Sequence, residues 1–177
     1  MSQPTTKTDT KTPQTLEEFM AQALVMEREA AQRYNDLADA MEIHNNRDVA
    51  QMFRTMAGYE AKHAEQIMQE MNWVEVPGVP TGAWPAMEPP ESVPHDEVHY
   101  LMHPWHALQL ALAAEERARE FFDQLALVAT TESVRKAALE LRDEEAEHVA
   151  LVLAWIAKTP KPDAQWANDP DPPRYVD

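Results

Sequence analysis

Apolar residues recur three and four positions apart in four stretches of the chain, with charged or polar residues between them, as in helices that bury one face. The first stretch opens at Thr15, whose hydroxyl can cap the exposed amides while Glu18 reaches back, and runs through LEEFMAQALVMEREAAQRYNDLADAME to about Glu42. A polar turn follows at His44, Asn45 and Asn46. Asn46 is placed to cap a second helix, which carries Val49, Met52, Phe53, Met56, Ile67 and Met71 on its apolar side. Pro104 opens the third stretch, where a missing amide is harmless. Thr130 and Thr131 separate it from the fourth, which stops before Pro160.

Residues 72–103 have a different character. Pro77, Pro80, Pro85, Pro89, Pro90 and Pro94 remove amide donors and lock the backbone, so no continuous helix forms there. The pattern predicts an all-α bundle: two antiparallel helical hairpins joined by a long proline-rich crossover. The bundle occupies 15–158, between an N-terminal tail over 1–14 and a proline-rich acidic tail over 159–177. The crossover could extend roughly 100 Å against a helix length of roughly 40 Å. Up-down-down-up and up-down-up-down orders both remain open.

The 177 residues suit one domain, and 15 Lys plus Arg against 31 Asp plus Glu leave a net charge of −16. Such a surface repels a phosphate backbone, which argues against nucleic-acid binding. No apolar run approaches a membrane span, and the first fifteen residues carry no signal-peptide stretch, so a soluble, cytoplasmic protein is expected. There are no cysteines. That removes disulfides, thiolate zinc, iron–sulfur and rubredoxin-type centres, and leaves carboxylate and imidazole as the metal ligands to consider.

Such ligands interrupt the apolar faces. In helix 1 the row Phe19, Ala23, Ala30, Tyr34, Leu37, Met41 has Glu27 in its middle; in helix 3 the row Leu108, Ala111, Ala118, Phe122, Leu125 has Glu115. A lone buried glutamate would be expensive. The second helix of each hairpin carries E-x-x-H, Glu60 with His63 and Glu145 with His148, a spacing that aims both side chains at one point. Glu27 and Glu60 are equidistant from the His44 turn, and Glu115 and Glu145 are equidistant from Thr130. Each hairpin thus sets a Glu opposite an E-x-x-H pair at mid-depth, so four carboxylates and two histidines converge. Four carboxylates nearly neutralise two divalent cations, and the mixed oxygen and nitrogen set suits iron or manganese. Glu116 and Glu144 adjoin these residues, but the repeat favours Glu115 and the i, i+3 rule favours Glu145.

At MEREAAQRY, YEAKHAEQ, HPWHALQLALAAEERAREFF and DEEAEHVALVLAWI the chain resembles the rubrerythrin-like branch of the ferritin-like superfamily, over about residues 15–158. The resemblance implies a ferritin-like four-helix bundle holding two iron ions per chain. Glu27, Glu60, His63, Glu115, Glu145 and His148 would be the ligands, with Glu60 and Glu145 as bridges. It further implies an oxidoreductase that oxidises ferrous iron with hydrogen peroxide or dioxygen, in peroxide detoxification or as a ferroxidase. A homodimer is the assembly it suggests. Rubrerythrins proper add a cysteine-ligated rubredoxin domain; without cysteine, an external electron donor protein is required. They also carry a further glutamate ligand one turn from that on helix 3, where this chain has Leu112 and Ala118.

Other residues admit plainer readings. Tyr34 is two turns from Glu27, so its hydroxyl can reach a ligand or donate an electron, although a core aromatic is the simpler role. His95, His99, His103 and His106, with Asp96, could form a second metal site, or serve in packing and capping. Two other functions compete with the redox one. The first is an iron-storage ferroxidase within a shell, with 160–177 as docking peptide; the second is a metal-free helical interaction module.

Overall fold

The computed structural model describes residues 13, 15–75, 77–78 and 98–168. It contains four helices: α1 (Leu16–Ile43), α2 (Arg47–Glu70), α3 (Pro104–Val128) and α4 (Glu132–Ile156). The two tails beyond these bounds, most of the crossover, and with them His95 and Asp96, lie outside the described residues.

The helix ends follow local chemistry. Thr15 Oγ1 accepts from the Glu18 amide at 3.1 Å, and the Thr15 amide donates to Glu18 Oε2 at 3.3 Å. Thr131 caps α4 by accepting from the Val134 amide. Asn45 and Asn72 end the first hairpin's helices in the left-handed region, with φ of 57° and 52°, where asparagine is tolerated better than most residues. Asn46 departs from expectation, since its side chain makes no cap bond. Instead Asn46 Nδ2 donates to the carbonyls of Met102, at 2.6 Å, and Tyr100. It ties the end of the crossover to the α1–α2 turn.

α1 pairs with α2 and α3 with α4, as two hairpins. Phe19, near the start of α1, meets Phe122, near the end of α3, edge to face with centroids 6.3 Å apart. α3 therefore runs against α1 and along α2, and the order is up-down-down-up. The end of α2 and the start of α3 therefore lie at opposite ends of the bundle.

The core falls into two apolar clusters at different depths. One joins Leu37, Met41, Val49, Phe53, Met56, Leu108 and Val152; the other joins Phe19, Leu24, Ile67, Phe122, Val134 and Leu141. Full burial of each such side chain contributes about 1.5–3 kcal/mol, so two complete clusters can carry a costly layer between them. Alanines line that layer: Ala23 and Ala30 around Glu27, Ala57 and Ala64 around Glu60, Ala111 and Ala118 around Glu115, all buried. Small neighbours one turn away leave the carboxylates room to meet.

Candidate metal centre

The middle layer holds the residues that broke the apolar pattern. Glu27 and Glu145 have no exposed surface and Glu60 and Glu115 have 1%, while His148 is buried and His63 half-buried. Glu116 is exposed and Glu144 half-buried, so the register that favours Glu115 and Glu145 is the one the fold adopts. All six residues singled out in the sequence come together. They do so in three overlapping groups: Glu60, His63 and His148; Glu27, His63 and Glu145; and Glu115, Glu145 and His148. In each group, one donor atom per residue lies within 4.8 Å of the others.

His148 Nδ1 is the hub, 3.2 Å from Glu115 Oε2, 3.7 Å from Glu145 Oε2 and 3.9 Å from Glu60 Oε1. His63 Nδ1 lies 3.7 Å from Glu27 Oε2. The two imidazoles stack, with centroids 4.6 Å apart and planes 5° apart. Tyr34 combines both of its expected roles: its ring stacks on Phe53, and its hydroxyl donates to Glu115 Oε1 at 3.0 Å. Glu115 is thereby held at both oxygens.

The electrostatics are those of a site short of positive charge. Burial pulls the His63 pKa down, but adjacent Glu27, with Glu144 and Glu115 farther off, raises it above its ordinary value. Glu144 is raised by burial and by the like charges of Glu27 and Glu70, against the pull of His63 and His148. Both Glu27 oxygens and His63 Nδ1 are buried without a hydrogen-bond partner among the described residues. Such atoms are rare in a finished core and point inward here, as donors to a cation would. Carboxylate oxygens and imidazole nitrogens in this ratio fit divalent iron or manganese.

Two features escaped the sequence analysis. Tyr59 lies against His148, with centroids 5.5 Å apart, and touches Trp155 on its other side. The available signal was spacing: Tyr59 precedes His63 by one helical turn, and Trp155 follows His148 by two. The other feature concerns the histidines near α3. His99 and His106 pack on Trp166, and each uses Nδ1 to accept a backbone amide, from Leu101 and His103 respectively. Packing and capping account for them, and they join no metal-ligating group among the described residues.

A helical bundle with paired carboxylates and an E-x-x-H motif in each hairpin defines the ferritin-like class, and comparison with known proteins narrows it. The Rubrerythrin family model matches residues 18–99. An uncharacterised conserved protein from Magnetospirillum magnetotacticum MS-1 is 40% identical; the match covers 84% of this chain and 98% of that one, with a TM-score of 0.62. A hypothetical protein from Pyrococcus furiosus is 23% identical over 81% of this chain and 89% of that one, with a TM-score of 0.41. No curated protein matches. The chain belongs to the rubrerythrin-like branch of the ferritin-like superfamily. No helix among the described residues is long and apolar enough to cross a membrane.

Proposed function

We propose that the protein is a di-iron oxidoreductase that uses hydrogen peroxide or dioxygen as oxidant and draws its electrons from a donor outside the chain. The observation that carries this reading is the convergence of four buried carboxylates and two imidazoles in one layer of the bundle. Glu27 with His63 would serve one ion, and Glu115 with His148 the other. Glu145 belongs to a group on each side, and Glu60 lies with both histidines, which suits them to be shared between the ions. Iron held there would supply the ferrous–ferric couple.

The protein's own groups would do the rest. Tyr34 holds one oxygen of Glu115 and His148 the other, which fixes the orientation of a carboxylate that would hold iron. The apolar clusters above and below exclude water from two sides. His63 is the most exposed of the six, which makes its side the approach for a small oxidant. Manganese remains the alternative metal on ligand chemistry alone.

The test is anaerobic titration of metal-stripped protein with ferrous iron, beside a Glu60→Ala, His63→Ala double variant. Two tightly bound ions per chain, lost in the variant, followed by faster oxidation with peroxide or dioxygen than free ferrous iron shows, is the expected result. Equal and negligible binding by both proteins would overturn the proposal.

A further inference from the structure

We propose that Tyr59 and Trp155 form an aromatic electron relay between His148 at the metal centre and a solvent-open groove between α2 and α4, where a small one-electron reductant of the enediol class is consumed. The proposal rests on the di-iron reading above. The chain has no cysteine, so no thiolate-held redox centre of its own can pass electrons to the buried layer.

Among the described residues, Tyr34 and Tyr59 reach that layer. Tyr34 donates to Glu115, and its ring stacks on Phe53, which is fully buried and far harder to oxidise than a phenol. Tyr59 is different. Its ring lies against His148 with centroids 5.5 Å apart, and Trp155 follows at 6.3 Å. Both are half-buried. Trp155 then forms a wall of a groove of about 360 Å³, together with Asp48, Met52, Thr55 and Lys158. Tyrosine and tryptophan are the most readily oxidised aromatic side chains, and here they are contiguous from centre to solvent. An anionic enediol such as ascorbate would meet the indole beside the Lys158 ammonium.

The electron count closes. Hydrogen peroxide takes up two electrons and two protons to give two water molecules. With one electron supplied by ferrous iron held in the site, the other would come from Tyr59, whose phenol loses an electron and gives its proton to the peroxide, the second proton coming from solvent. Trp155 returns an electron to the phenoxyl, which regains a proton, and the enediol in the groove then returns one to Trp155. When iron is incompletely reduced, the relay spares the carboxylates and imidazoles from oxidation.

The experiment adds peroxide to iron-loaded protein without reductant, maps oxidised tryptophan by peptide mass spectrometry and looks for organic radicals by freeze-quench electron paramagnetic resonance. Trp155 should be hydroxylated in preference to Trp105 and Trp166, which are also half-buried. Ascorbate should suppress the mark. Tyr59→Phe, which keeps the ring on His148, should lower the mark on Trp155 to that of Trp105 at unchanged iron loading. Trp155→Phe should prolong a tyrosyl signal. A mark on Trp155 unaltered by Tyr59→Phe, or a radical abolished only by Tyr34→Phe, would overturn the relay and leave the metal centre standing. Wild type that takes up no iron would overturn both.

Discussion

Glu27 shows how a single residue can weaken the metal-free fold while serving the site. It is fully buried, neither oxygen has a hydrogen-bond partner among the described residues, and its nearest cationic group is His63 Nδ1 at 3.7 Å. Replacing it with Gln removes an ill-satisfied carboxylate, whose burial typically costs about 1–3 kcal/mol. Scanning calorimetry of the metal-stripped proteins should show Glu27→Gln melting higher, by on the order of 5 °C, while its iron affinity falls. His63 carries a related signature. Its pKa is raised in the fold, so its protonated form stabilises the metal-free protein below the ordinary value of 6.5, and that contribution is lost as pH rises through the raised value. Melting temperature of the stripped protein should therefore fall from about pH 6 to pH 8, and His63→Gln should flatten the dependence.

Among the elements, the link between crossover and first hairpin depends on one side chain. Asn46 holds the carbonyls of Tyr100 and Met102 instead of capping α2. Loss of these bonds in Asn46→Ala should cost about 1–2 kcal/mol. Hydrogen exchange should show the loss concentrated around residues 98–103 and the first turn of α3, with the centre of α2 unchanged. In contrast, Thr15→Ala removes a true capping box and should cost about 1 kcal/mol, read out as fraying of the first turn of α1. The four helices, Thr15 and Pro104 were legible in the sequence because caps and prolines act over one turn of chain. Asn46 was not, because its partners lie more than fifty residues away along the chain.

At the scale of the whole molecule, the C-terminal segment closes over the start of α3. Trp166 lies tilted against His106, with centroids 3.9 Å apart, and meets His99 edge-on, while Lys161 sits over Trp105. Burial, and the nearby His103, lower the His106 pKa. A histidine with a lowered value takes up its proton more readily where the contact is open, so acid below about 6.5 favours release of the segment. The difference in acrylamide quenching between wild type and Trp166→Phe should therefore grow from about pH 7.5 to pH 5.5.

The helices, their apolar faces and the six converging donors could be read along the chain, since periodicity and distance from a turn are properties of neighbours on one helix or one hairpin. Glu115 and Glu145, chosen over Glu116 and Glu144 on that basis, are the ones buried. The order of the hairpins could not be read this way. A long crossover permits either, and it took the meeting of Phe19 with Phe122 to show that α3 runs against α1. The same holds for Tyr34 on Glu115, and for Tyr59 between His148 and Trp155. These contacts join residues from different helices, and the packing of one helix on another depends on side-chain shape across the whole core, which a one-dimensional pattern does not encode.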